Sequence, residues 1–369
     1  MRAKILVSAQ DVGGAVNIAP ICSKLKSLNF NIKIIPSKIT KDIFVKHNLN
    51  EELIELLNLN EDTLKKLFLE FKPNLILTGT TRYFSSDRLL IKISNEYNVF
   101  SISVLDDWTN YRLRFTENSN GLILPDIICC MDEIAYKDAI LEGIPSKKLI
   151  ITGSIYLSLL FNNKSNNDDK LLPSKILNID GLNKDIPTIL FISETLEKDF
   201  GNDQRGGKMG DFLGYTEKTV LQDIIEVLSE FDINCNLIEK LHPIAEFSGI
   251  KNFSVNKINY IQLKNYELHN LILNSDLVIG MRSIALLESA ILNKLTISYQ
   301  PNLNPKYGSC TAERIAKVES LRNKEELKYY IKNFFTKGMN STKIYFSERP
   351  NFANKNAISN IVNLIIRNI

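Results

Sequence analysis

The residues best suited to chemistry in this 369-residue chain fall in five short segments, each directly after a run that reads as a buried strand. The first is SAQDVGGAVNIAP (8–20), where Asp11 precedes Gly13 and Gly14. A carboxylate there can take a proton from a hydroxyl, or simply cap the helix that follows. The paired glycines allow a tight turn and close approach of a ligand to backbone N–H groups. The second is LDDWTNYRLRF (105–115), in which Asp106, Asp107, Trp108, Asn110 and Arg112 form a dense polar–aromatic set suited to a sugar or an anionic acceptor. A structural loop with an Asp–Arg pair is the competing reading.

The third segment, SETLEKDFGNDQRGGKMGDFLGYTE (193–217), opens on Ser193 and Glu194 and carries five glycines with Arg205 and Lys208. It reads as a mobile loop over a ligand or as a surface insertion. The fourth is EKLHP (239–243), which puts His242 at a strand end, where it can donate to a phosphate or serve as an acid. In the fifth, GMRSIALLESAI (280–291), Gly280 and Ser283 open a helix beside Arg282 and make a natural pyrophosphate seat. Glu288, five residues after Ser283, can accept two ribose hydroxyls. A capped core helix with Glu288 in solvent is the bland alternative.

Elements that would position these residues alternate along the chain. Strands are expected at 4–9, 31–35, 74–80, 99–106, 126–132 and 148–154, with helices at 61–71, 85–97 (Ser85 as cap) and 133–143 between them. An apolar face from Ala15 to Leu25 marks the first helix. The second half repeats the scheme, with strands at 187–194, 235–243, 276–281 and 295–300. Its helices are expected at 216–231 (Thr216 as cap), 267–275, 283–293 and 323–338. Such alternation implies parallel sheets with right-handed crossovers, whose ligands lie beyond the carboxyl ends of the strands. The polar segment NNKSNNDDK (162–170) is the best linker. Three parts follow: residues 1–165, residues 166–345, and an amphipathic C-terminal helix within 346–369 that is free to pack back on the first domain.

Composition narrows the classes. Hydrophobic residues make up 44% and charged residues 24%, and 45 basic side chains balance 42 acidic ones to a net charge of +3. That balance argues against a nucleic-acid partner. No apolar run is long enough to span a membrane, and the start reads as a strand rather than an export signal. The five cysteines (Cys22, Cys129, Cys130, Cys235, Cys310) form no CxxC pair and the three histidines are scattered. A cytoplasmic protein without a metal site is expected.

These segments resemble a known family. GMRSIALLESAILNKLTISYQ (280–300) is similar to the donor-binding segment of GT-B glycosyltransferases, in which a Gly/Ser-opened helix holds nucleotide phosphates and a Glu binds ribose. KLHP (240–243) resembles the strand-end His-Pro of CDP-glycerol transferases and of the related UDP-N-acetylglucosamine 2-epimerases. SAQDVGGAVNIAP looks like the first loop of the acceptor domain in the same superfamily, and DWTNYRLRF (107–115) resembles a segment of bacterial surface-polysaccharide proteins. The opening GTRPE of the 2-epimerases is absent, and their later ERPE is echoed only by SERPN (347–351), with Asn351 for the acidic residue.

The resemblance implies a GT-B fold, two Rossmann-like domains with parallel sheets facing a central cleft. It implies an inverting, metal-independent glycosyltransferase without a cofactor, moving a sugar from a UDP- or CMP-type donor to a glycan or lipid-linked glycan in surface polysaccharide synthesis. Asp11 would be the base. His242, Gly280, Arg282, Ser283, Glu288, Ser193 and Glu194 would hold the donor. Gly13, Gly14, Asp106, Asp107, Trp108, Asn110 and Arg112 would hold the acceptor. The alternatives are a nucleotide-sugar 2-epimerase, hydrolysing or not, and a non-catalytic nucleotide-sugar-binding partner. Peripheral contact with the inner membrane would fall to YYIKNFFTKG (329–338), although core packing explains that helix more simply.

Overall fold

The structure is a computed structural model that describes residues 2–56, 59–82, 85–117, 121–165, 179–246, 252–336 and 345–369. The chain divides into two compact units, Met1–Asn162 with Arg349–Ile369, and Asn163–Glu348.

The first unit runs β1 (Lys4–Ala9), α1 (Val12–Ser27), β2 (Asn31–Pro36), α2 (Lys41–Lys46), α3 (Glu61–Phe71), β3 (Leu75–Thr78), α4 (Ser86–Tyr97) and β4 (Phe100–Val104). It continues with α5 (Tyr111–Arg114), the short hairpin β5 (Thr116–Glu117) and β6 (Gly121–Leu122), β7 (Ile127–Cys130), α6 (Glu133–Leu141), β8 (Leu149–Ile151) and α7 (Ile155–Ser165). Six strands form one parallel sheet in the order β2-β1-β3-β4-β7-β8. The order reverses at β1 and β3, so the crevice outside their carboxyl ends is where this topology places a ligand.

β1 shows how the sequence feeds both faces of that sheet. Ile5, Val7 and Ala9 point into one core with Ile18, Ile21, Cys22 and Leu25 of α1, while Leu6 points into the other, with Leu64, Phe68, Leu90 and Ile93 of α3 and α4. Such alternation is what the period-2 pleat of a strand buried on both sides demands. Ser8 shares the face of Leu6 and is fully buried, so its hydroxyl must find partners; Ser86 and Asp87 at the start of α4 supply them.

The C-terminal helix, α14 (Ala357–Arg367), belongs to this unit. Its Ala357, Ile361, Val362 and Ile365 fall on one face and pack with α1. Arg349 fastens the returning chain by donating to Asn162 and to the Ala353 carbonyl, with its guanidinium 4.7 Å from the Phe161 ring centroid. Gly153 sits at φ +94°, and a Cβ there would come within 2.7 Å of Asn354, so only glycine lets the return pass. Through Arg349 the SERPN segment anchors the return of the chain. The boundary between the two units, Asn162 to Asn163, falls at the start of the segment expected as the linker, whose residues 162–165 are the last of α7. Residues 166–170 lie outside the described residues.

The second unit runs β9 (Thr188–Ile192), α8 (Leu196–Phe200), α9 (Glu217–Glu230), β10 (Cys235–Lys240), β11 (Asn252–Val255), β12 (Ile258–Leu263) and α10 (Leu268–Leu273). Then come β13 (Leu277–Gly280), α11 (Ala285–Ile291), β14 (Thr296–Tyr299), α12 (Thr311–Ala316), β15 (Glu319–Leu321) and α13 (Lys324–Thr336). The sheet order is β11-β12-β10-β9-β13-β14-β15, with β11 antiparallel at the edge and every other pairing parallel. Its switch point lies at β9 and β13.

Thr216 caps α9 in a reciprocal capping box with Thr219. Ser85 stands at the N-cap of α4 with extended backbone, but its hydroxyl makes no capping bond. On α13, Leu327, Ile331 and Phe334 enter the core and Tyr329 is exposed; Lys337 and Gly338 of the aromatic–basic segment lie outside the described residues. All five cysteines are buried and free. No described helix is long and apolar enough to cross a membrane. Among the described residues, no group of three or more His, Cys, Asp or Glu side chains is placed to hold a metal ion.

Candidate functional site

In the first unit the switch point gathers three carboxylates. Asp11 leaves the end of β1 in extended conformation and caps α1, its Oδ1 accepting the Gly14 N–H at 2.7 Å. Its Oδ2 accepts from the Thr81 hydroxyl at 3.1 Å, beyond the end of β3. Asp106, beyond β4, is held by Arg114 at 2.6 Å and by the Thr80 hydroxyl at 3.3 Å. Asp87 is buried and accepts from Ser8 Oγ at 2.5 Å and from the Thr81 N–H at 3.4 Å. Asp87 therefore fixes the loop that presents Thr81 to Asp11.

Burial pushes the Asp11 pKa up to about 6, and the charges of Asp106 and Asp87 add to the rise, against the Gly14 N–H and Arg114. Burial likewise raises Asp87. A half-buried carboxylate that ionises near neutrality is suited to take up and release protons.

Gly13 and Gly14 serve the protein's own groups. A Cβ on Gly13 would stand 2.0 Å from Asp106 Oδ2, and one on Gly14 would meet Asp11 Oδ1 at 2.9 Å and the Gly79 Cα at 3.4 Å. The glycines let the Asp106 carboxylate and the Gly79 backbone close on the start of α1.

Two expected acceptor residues are misplaced for that role. Trp108 is 1% exposed, its indole N–H donates to Asp132 at 2.9 Å, and its ring meets Phe352 edge-on at 5.6 Å. Asp132 also caps α6 through the Ala135 N–H. An indole so engaged is part of the core. Arg112 is exposed and its guanidinium lies against Gly143, past the C-terminal end of α6, so Arg114 is the cation that enters the cluster. Asp107 closes a turn with the Trp108 N–H and the Thr109 hydroxyl, and Asn110 starts α5 in left-handed conformation at φ +59°. Of the expected set, Asp11, Gly13, Gly14 and Asp106 are brought together, and Asp107 lies 3.9 Å from Arg114. Thr80, Thr81, Asp87 and Arg114 complete the cluster; the small polar residues ending NLILTGT (74–80) were the available signal for Thr80.

In the second unit Glu194, just past β9, reaches across the switch point. Its Oε1 accepts the Arg282 N–H at 2.7 Å and the Ser283 N–H at 3.0 Å. The backbone donors read from the sequence as a pyrophosphate seat are thus taken by the protein's own carboxylate. Burial raises the Glu194 pKa, partly offset by those N–H groups. The Arg282 guanidinium donates to Gln300 at 2.8 Å and to the Gly308 carbonyl at 3.1 Å, and Tyr215 donates to the same Gln300 oxygen at 3.3 Å. Ser193 is buried beside Glu194, and Gly280 ends β13. A Cβ on Gly280 would press on Leu286 at 2.8 Å, so this glycine serves strand–helix packing.

Glu288 is buried on α11 rather than solvated, and its carboxylate meets His269 Nε2 at 2.7 Å. Burial works against charge on His269, but the bond and charge of Glu288 outweigh it and raise the His269 pKa. His269, on a different helix, carried no sequence signal of this pairing. His242 follows β10, and burial lowers its pKa.

The glycine-rich segment is built as a packed turn rather than an open lid. Gly201, Gly206, Gly210 and Gly214 take positive φ, and a Cβ on Gly214 would lie 2.0 Å from the Asn302 carbonyl. Gly207 pairs with Gly210, Leu213 is fully buried, and Arg205 pairs with Asp203.

Comparison with known proteins bears on the fold. No protein-family model and no curated protein matches the chain. Solved structures do match over its whole length. UDP-GlcNAc 2-epimerase from Neisseria meningitidis, bound to UDP-GlcNAc, superposes with a TM-score of 0.66 at 15% identity, over 99% of this chain and 100% of that one. MnaA of S. aureus, in a co-structure with UDP, gives 0.67 at 14% identity over 100% and 98%. The glycotransferase of kitacinnamycin gives 0.61 at 8% identity over 100% and 99%. The chain thus has the GT-B fold of two Rossmann-like units that these 2-epimerases and glycosyltransferases share.

Proposed function

We propose that the protein is a nucleotide-sugar enzyme of the inverting glycosyltransferase type, with Asp11 as the base. The observation that carries this reading is the Asp11 carboxylate at the switch point of the first unit, with its pKa raised to about 6 beside the Arg114-paired Asp106. An acceptor hydroxyl donating to Asp11 would lose its proton as it attacks the sugar carbon, and the nucleotide would leave with the bonding electrons. Asp106, Asp107 and Asn110 would orient the acceptor, a glycan or lipid-linked glycan. Ser193, Glu194, Arg282, Ser283 and Glu288 would bind the donor, with His242 toward its phosphates. The structures of like fold bound to UDP or UDP-GlcNAc support a nucleotide-sugar ligand.

A 2-epimerase is the second reading. It is favoured by the same carboxylate set, because removing and returning a proton at a sugar carbon also needs an acid and a base in one place. Incubation with UDP-GlcNAc alone separates the two. Epimer or free UDP without acceptor supports the epimerase; UDP release that depends on an added glycan supports the transferase. Nucleotide binding without turnover under either condition would leave a non-catalytic binding protein.

A further inference from the structure

With the Arg282 and Ser283 N–H groups taken by Glu194, the charge that the turn after β13 still offers an anion is the Arg282 guanidinium. A guanidinium carries five N–H donors in one plane. Two of them, on Nη1, go to the Gln300 side-chain oxygen at 2.8 Å and to the Gly308 carbonyl at 3.1 Å. Nε and Nη2 share another edge of the plane, and among the described residues neither makes a hydrogen bond. Arg282 is half-buried and forms no ion pair among the described residues; Glu194 acts on it from beyond that distance. Two parallel N–H groups on one edge are the fork that takes both oxygens of a carboxylate or phosphate. With Nη1 pinned twice, the direction of that fork is set.

Gln300 makes the shorter of the two pinning bonds. It follows β14 and is fully buried, so both ends of its amide need partners. Its Nε2 donates to Ser298 Oγ at 2.6 Å, and Ser298 donates its own proton to the Met281 carbonyl at 2.6 Å. A hydroxyl whose proton is spent can only accept, so the amide NH2 must face Ser298 and the amide oxygen must face Arg282. Tyr215, also buried, donates to that oxygen at 3.3 Å. A flipped amide would set NH2 against two donors. The chain of bonds thus leaves the carbonyl of Met281 and returns to the side chain of Arg282, the next residue. It holds the turn and the guanidinium in one geometry. An arginine fixed in advance loses less rotamer freedom when a ligand arrives.

We propose that Gln300 is a positioning residue for Arg282, holding the Nε–Nη2 edge of its guanidinium ready to grip a ligand oxyanion through two parallel hydrogen bonds. This rests on the nucleotide-sugar reading of the second unit. The oxyanion is a phosphate of the nucleotide or the carboxylate of a sugar acid, which offer the same pair of acceptor oxygens. The backbone of the turn is left to Glu194 and the anion to the side chain.

Calorimetric titration of the full-length protein tests this, with UDP, CDP, CMP and GDP each beside its nucleoside, and UDP-glucuronate beside UDP-glucose. Gln300→Met and Arg282→Met should each weaken the anion-bearing member of a pair about tenfold and leave its counterpart unchanged. Loss on a nucleotide that spares the nucleoside assigns the phosphate. Loss on UDP-glucuronate that spares UDP-glucose assigns the carboxylate. In the Arg282→Met background, Gln300→Met should cost less than about twofold more, because the two residues act as one. As large a loss there as in the parent would make Gln300 merely structural and overturn the proposal. So would unchanged affinity in either single variant, with the nucleotide reading left in place. If the parent binds no nucleotide, that reading fails, and inorganic pyrophosphate decides the role of Gln300. Saturable binding lost in both variants upholds it, and no binding to the parent rejects it. Should Gln300→Met not fold, Gln300→Asn, whose shorter side chain withdraws the amide, carries the same comparison. The same loss is expected, and unchanged affinity rejects the proposal.

Discussion

Asp11 sets cost against use at a single residue. Its folded-state pKa of about 6 stands above the ordinary 3.8, so between those values the folded protein keeps a proton that the unfolded chain has released. Stability therefore falls as pH rises from about 4 to about 6 and stays on the lower plateau above. At 1.36 kcal/mol per pKa unit the difference is about 3 kcal/mol. Asp11→Asn keeps an amide able to cap α1 and never ionises. Its unfolding free energy at pH 8, measured in urea, should match or exceed that of the parent. Its turnover should fall by about 10²–10⁴, the usual worth of a positioned base. Near-parental turnover would remove Asp11 from the mechanism. In the parent, activity should rise with pH through about 6, and this acid limb should vanish in Asp11→Asn. Gly13→Ala tests the neighbouring contact. The added methyl would fall on Asp106 Oδ2, and Arg114 holds the same carboxylate in place through Oδ1, so a loss of about 1–3 kcal/mol is expected in the same assay.

Among the elements, α14 makes the most specific claim. The last helix in sequence is packed on the first, and Ile361, fully buried against α1, lies in the core that also holds β1. Ile361→Ala should cost about 2–5 kcal/mol of stability, as large-to-small changes at such sites do. A change below about 1 kcal/mol in equilibrium denaturation would mean that the helix does not support the unit. Most strands and the long helices were legible in the sequence because buried strands read as short apolar runs and helices as 3.6-period faces. β11 and β12 were not expected, because their apolar residues are interrupted by Asn, Ser, Lys and Gln. Neither were the short elements. α5, α8 and α12 have four to six residues and no room for periodicity, and β15 has three.

For the whole molecule, the decisive measurement is a thermal-shift screen across UDP, CDP, CMP and GDP. A ligand present at 100 times its Kd should stabilise the native state by about 2.7 kcal/mol, and the midpoint should rise accordingly. No shift with any of the four counts against a nucleotide ligand. The alternation of strands and helices, the break between halves and the polar residues at strand ends are properties of local sequence. They were enough to indicate two Rossmann-like units and to place Asp11, Glu194, His242 and Arg282 at carboxyl edges, because a strand's direction alone decides which end is which. Tertiary structure decided which of those groups meet. It buried Trp108 under Asp132 and Phe352, exchanged Arg112 for Arg114, and set Glu194 into the seat expected for phosphate. It also paired Glu288 with His269. Each outcome depends on residues far apart in the chain whose charges and hydrogen bonds must be satisfied together once water is excluded. Spacing along the sequence carries no record of that requirement.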